Sequence, residues 1–190
     1  MKRVIFTSAC LALLFTACKK EDVGATNDTP SALVAASSTG VYVSNWESVP
    51  HDSWQSSATT NGTMSMTFNR ATPQVNENVR TNGKVLVFAK GYSFADTSIN
   101  KPMSMPFDFY LPFERMAFPY TWLYDAGNGQ INVVVGMRPG MERDFNKAQD
   151  DIKFRYVVLP YDYFVQTGLT TAALSRMSYA DLMERLHASL

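Results

Sequence analysis

The chain has 190 residues, 46% hydrophobic and 13% aromatic, with 17 basic residues against 17 acidic ones. This composition excludes a disordered chain, and the charge balance excludes nucleic-acid binding, which needs a basic face to neutralise phosphates. The two cysteines, Cys10 and Cys18, are too few and too close to the N-terminus to staple a domain.

Met1-Lys2-Arg3 is followed by an apolar run over 4–15, the small pair Thr16-Ala17, and Cys18. A basic start, a short apolar core, small residues and then cysteine is the layout of a bacterial lipoprotein signal, residues 1–17, cleaved before Cys18. The run is shorter than the roughly 20 apolar residues a membrane-spanning helix needs. Cys10 is lost with the signal, so Cys18 becomes the acylated (palmitate-bearing) first residue, and the remainder carries about −2. Attachment to the membrane through that N-terminal lipid follows. Residues 18–39 are rich in Ala, Ser, Thr, Asn and Asp with Pro30, the composition of a flexible tether.

The stretch Leu13-Leu14-Phe15-Thr16-Ala17-Cys18-Lys19-Lys20-Glu21-Asp22 resembles the leaders of Bacteroidota lipoproteins, with Phe15 where Leu is usual. In that group a charged tract just after the cysteine acts as a surface-export signal, and Lys20, Glu21 and Asp22 match it. The resemblance implies an outer-membrane lipoprotein at the cell surface.

Residues 40–190 read as one mostly β domain. Met64, Met66 and Phe68 alternate with polar residues on one strand, and Met103, Met105, Phe107, Phe109 and Leu111 do so on another, with Pro106 marking an edge or bulge. Segments 85–88 and 133–135 are apolar on both faces, as in central strands, and 154–159 is a further strand stopped by Pro160. Segments 41–46, 74–79 and 120–124 are weaker candidates. Asn128-Gly129 predicts a type I′ hairpin turn between 120–124 and 131–135. About eight such strands, with no helices between them, predict an antiparallel β-sandwich. One short C-terminal helix follows, capped by Ser178 with Asp181 three residues on. It turns Tyr179, Leu182, Met183 and Leu186 to one face and covers an open end or edge of the sandwich. Trp46, the strand 83–88, Phe118-Pro119-Tyr120-Thr121 and the strand 154–160 resemble a class of small Bacteroidota lipoproteins of unassigned function, a likeness that implies fold type and no catalytic residues.

Chemistry-bearing constellations are sparse. His51 and His187 are far apart, and a zinc site needs three or four converging ligands, so no metal and no cofactor is expected. The pairs Met64/Met66 and Met103/Met105 could offer thioethers to Cu(I), but the apolar residues continuing each face mark them as core. Asp125-Ala126-Gly127-Asn128-Gly129 lacks the acidic ligands of a calcium loop and reads as a turn. No nucleophile elbow or metalloprotease helix occurs. Asp108, Glu114, Asp125 and Asp162 are available to a glycosidase, with no spacing that singles out a pair. The candidate ligand-binding side chains are aromatic. With Thr121 and Leu123 inward, Tyr120, Trp122 and Tyr124 form an outward row for a sugar or protein partner, to which Trp46 and Trp54 add. The opposite phase buries those rings, which yields more transfer free energy. The sequence thus points to a non-catalytic binding or structural module with a glycan or protein ligand. The alternatives are a surface polysaccharide hydrolase using a carboxylate pair and a scaffold subunit of a surface complex.

Overall fold

The computed structural model describes residues 40–58, 62–94, 97–110, 119–146 and 152–188. The expectations placed on Cys18, Lys20, Glu21 and Asp22 lie outside these residues, as does Glu114. Most of the described chain is strand, arranged in two antiparallel five-stranded sheets with a few short helices. Among the described residues no helix is long and apolar enough to cross a membrane.

The first sheet, A, holds β1 (Tyr42–Val43), β2 (Glu47–Val49), β5 (Lys84–Lys90), β8 (Met103–Ser104) and β12 (Ile152–Leu159). Its order is β1-β12-β5-β8, and β2 pairs with β12 beyond the end of β1. The second, B, holds β3 (Gln55–Ala58), β4 (Met64–Ala71), β9 (Phe107–Phe109), β10 (Tyr120–Gly127) and β11 (Gln130–Met137), in the order β3-β4-β11-β10-β9. A two-residue pair, β6 (Ser93–Phe94) with β7 (Thr97–Ser98), stands apart. The helices are α1 (Glu77–Asn82), α2 (Glu142–Phe145), α3 (Tyr161–Thr167), α4 (Thr171–Leu174) and α5 (Tyr179–Arg185), plus a single 3-10 turn at His51–Ser53.

Period-two alternation sends one side of each sheet into a shared core. Sheet A contributes Val85, Val87, Ala89, Ile152, Phe154, Tyr156 and Val158, and sheet B contributes Met66, Tyr120, Trp122, Ile131, Val133, Val135 and Met137. The other side of sheet A is apolar as well. Phe88, Val157 and Leu159 form a second core with Tyr163, Leu174, Leu182, Met183 and Leu186 of the C-terminal helices. This explains why segment 85–88 of β5 reads as apolar on both faces; segment 133–135 reads the same way, but its strand β11 alternates, with Val134 half-buried on the outer side of sheet B. The predicted capping box is present, with Asp181 N–H donating to Ser178 Oγ and Ser178 N–H to Asp181. The helix, however, covers the outer face of sheet A rather than an open end of the sandwich. It shares that task with α3 and α4, two helices beyond the single one expected at the C-terminus.

Three further expectations are corrected. Segment 74–79 is not a strand: Asn76 accepts from Val79 N–H and caps α1. Residues 103–109 are not one strand, because the chain crosses between the sheets at the cis Met105–Pro106 bond, so Met103 is exposed while Met105 is buried. Asn128-Gly129 does join β10 to β11, but only Gly129 has a positive φ (78°), so the turn is not type I′. Gly129 is held from outside the hairpin: its carbonyl accepts from Thr72 N–H at 2.7 Å and its N–H donates to Val75 at 2.7 Å.

Candidate functional site

The aromatic row at 120–124 takes the buried phase. Tyr120 and Trp122 are both fully enclosed, while Leu123 on the opposite face is 43% exposed. Trp122 stacks on Phe107 with ring centroids 5.5 Å apart and meets Tyr92, Trp54, Phe145 and Phe154 within about 6.3 Å. The Tyr120 hydroxyl donates to the Met141 carbonyl at 3.2 Å. Tyr124 is half-buried and donates to the Val85 carbonyl at 2.7 Å. Trp54 is buried between Phe68, Phe145 and Phe154. Four of the five candidate aromatics therefore serve the core, for the reason already stated: enclosing large rings outweighs enclosing Thr and Leu.

Trp46 is the exception. Between β1 and β2 the ladder is broken. Ser44 N–H donates to the Tyr156 carbonyl, and the Ser44 hydroxyl accepts from Tyr156 N–H, each at 3.0 Å. A side-chain oxygen thus replaces a backbone acceptor. Trp46 follows in this break and packs half-buried over the outer face of sheet A, beside the core formed with the helices. Its ring is 5.8 Å from that of Tyr179 on α5. The Lys90 Nζ stands 4.2 Å from the ring centroid and the Arg155 Cζ 5.2 Å from it. With the ring engaged by these cations, Trp46 acts as their platform, a role different from the sugar-stacking one expected of it.

The cations come from register. Lys153 pairs with Lys90 across β12 and β5, and Arg155 follows two residues on, opposite Phe88, so all three project from the outer face. Arg155 is buried, and its Nη1 donates to the Tyr179 hydroxyl at 2.6 Å. Lys90 and Lys153 are half-buried. Like charges directly opposite on a sheet repel. Lys90 accordingly has its pKa held below the ordinary lysine value, first by burial and then by the positive charges of Arg155 and Lys153. Among the described residues the ion pairs are Arg70–Glu47 and Arg80–Glu77, and neither Lys90 nor Lys153 takes part in one. The signal for this site was present in the sequence as Lys90, Lys153 and Arg155, but only strand pairing brings them together.

Among the described residues, the candidate carboxylates Asp108, Asp125 and Asp162 do not converge in the same way. Asp108 accepts from the Thr121 hydroxyl at 2.8 Å on the outer face of sheet B. Asp125 lies four residues further along β10, about 13 Å away at roughly 3.3 Å per residue. Asp125 lines a depression of about 370 Å³ with Arg80 and Lys84, and Asp108 lines a different one of about 380 Å³ with Met103 and Phe107. Asp162 is on α3, beyond sheet A. Glycosidase pairs stand about 5–9.5 Å apart. Among the described residues no three His, Cys, Asp or Glu side chains gather as metal ligands. No known protein family, curated protein or solved structure matches the chain.

Proposed function

We propose that this chain is a lipid-anchored cell-envelope protein whose folded domain is a non-catalytic binding module at the outer-membrane surface, with a glycan or protein as ligand. Anchoring rests on the signal-like layout that ends at Cys18 and on the Lys20-Glu21-Asp22 tract behind it. The observation that carries binding over hydrolysis is the contrast between the two sets of charges. Lys90 and Arg155 stand over one aromatic ring, with Lys153 beside Lys90 in the strand register, whereas Asp108 and Asp125 sit too far apart to share a glycosidic bond.

Two experiments test this reading. Cys18→Ala should abolish labelling by a radioactive fatty acid and move the protein out of the membrane fraction; unchanged labelling overturns the anchor. The purified full-length protein should be retained by at least one glycan on an array or by one defined envelope protein. Retention by neither overturns the binding module.

A further inference from the structure

We infer that the Lys90–Lys153–Trp46 face is an oxyanion subsite, and that its ligand is a glycan bearing carboxylate or sulfate groups. The inference rests on the binding-module reading and specifies what such a module would take.

The outer face of sheet A is divided along the strands. Towards one end Leu86, Phe88, Val157 and Leu159 meet the C-terminal helices, and those positions are apolar. Towards the other the same two strands carry Lys90, Lys153 and Arg155. Arg155 marks the boundary, since it is buried and bonded to Tyr179 of α5. Beyond it, two ammonium groups stand as cross-strand neighbours, with no ion-pair partner among the described residues. A strand pair gains nothing in folding from two lysines set opposite each other. A bound oxyanion between them reverses the sign of that interaction. Trp46 makes the arrangement tolerable without a ligand, because its ring faces Lys90 and Arg155 with the negative side of its quadrupole.

The size and sign of the feature select the ligand. A net charge of about −2 after removal of the signal gives the protein no long-range attraction for any polyanion, so recognition is local, and three cations do not make the extended basic face that nucleic acid needs. A compact group of this kind matches discrete oxyanions spaced along an otherwise uncharged chain, as in a polymer of uronic acids or a sulfated polysaccharide. Lysines meet such groups as point charges, so binding falls as salt screens them.

The test is affinity electrophoresis of the full-length protein in nonionic detergent micelles, through gels containing polygalacturonate or dextran. The wild type should be retarded by polygalacturonate, less so with added salt, and not by dextran. Lys153→Gln should weaken retardation, and the double variant Lys90→Gln/Lys153→Gln should weaken it by about tenfold or more in dissociation constant. Neither should melt below the wild type by more than a degree or two, which a structural role for these lysines would not permit. Equal retardation of wild type and double variant overturns the assignment to these lysines. Absence of retardation in the wild type overturns the anionic ligand, while a neutral glycan or a protein captured in the array experiment then leaves the binding module standing. Loss of retardation in glycerol 3-phosphate, but not in chloride of equal ionic strength, overturns the glycan in favour of a lipid head-group phosphate.

Discussion

The Tyr124 hydroxyl donates to the Val85 carbonyl oxygen at 2.7 Å, so a side chain of sheet B is fastened to the backbone of sheet A across the core. Burial raises the Tyr124 pKa above the ordinary tyrosine value of 10.0, and Tyr156 is raised likewise, by burial first and then by the charge of Glu47. The folded state holds both phenols protonated at a pH where the unfolded chain releases those protons. Their contribution is therefore complete below pH 10 and declines as the pH rises above it. Urea titrations between pH 8 and 11 should show stability falling above about pH 10, and Tyr124→Phe should flatten that fall. At pH 7 the same substitution should cost about 0.5–1.5 kcal/mol with the slope against urea unchanged.

Glu47 and Arg70 form a second cross-core link, an ion pair at 2.7 Å whose side chains are 17% and 30% exposed. Both point inward, and the Tyr156 hydroxyl lies 3.5 Å from the carboxylate. Glu47→Gln should cost about 1 kcal/mol, between the values for exposed and for enclosed pairs. A double-mutant cycle with Arg70→Met should return a coupling of about 0.5 kcal/mol or more. Glu47→Gln should also lower the Tyr156 pKa, read by ultraviolet difference titration, because one of the charges holding it up is removed.

Two glycines should respond oppositely to a methyl group. A Cβ on Gly83 would stand 2.5 Å from the Leu159 carbonyl oxygen and 3.0 Å from that of Val79, both backbone atoms. Its φ of −97° is open to any residue, so the cost is collision alone. Gly83→Ala should destabilise by about 1–3 kcal/mol. A Cβ on Gly136 would meet nothing nearer than 3.9 Å, and Gly136→Ala should be neutral or stabilising by up to about 1 kcal/mol. Thermal melts of the two variants side by side decide the matter.

Neighbouring residues on β10 give the sharpest contrast in burial. Trp122→Ala should cost about 3–5 kcal/mol, since the ring is fully enclosed by other aromatics. Leu123→Ala, on the solvent side, should change stability by less than about 0.5 kcal/mol. Denaturant midpoints check both, and a large loss at Leu123 would mean that the outer face of sheet B is covered.

The sandwich was legible because period-two alternation is local: Met64-Ser65-Met66-Thr67-Phe68 states its own facing, and β4 keeps it. The capping box of α5 was legible for the same reason. Features set by distant partners were hidden. Asn128-Gly129 announces one turn type and adopts another because Thr72 and Val75 bind Gly129. The alternation through Met103–Phe109 continues unbroken in sequence, while the chain changes sheets at Pro106. The cationic face was the least visible. Sixty-three positions separate Lys90 from Lys153, and nothing but the register of β5 on β12 makes them neighbours.

That register has a mechanical corollary at the other side of β12. The first described strand, β1, is held by two residue pairs, Tyr42 with Val158 and Val43 with Val157. Tyr42 belongs to the core between the sheets, and Val41 and Val43 to the core beneath the helices. Among the described residues, a load arriving along the chain from its N-terminal side meets these two pairs first. Peeling β1 away would open both cores at once, so the point where traction enters is also the point where the two layers share a seam.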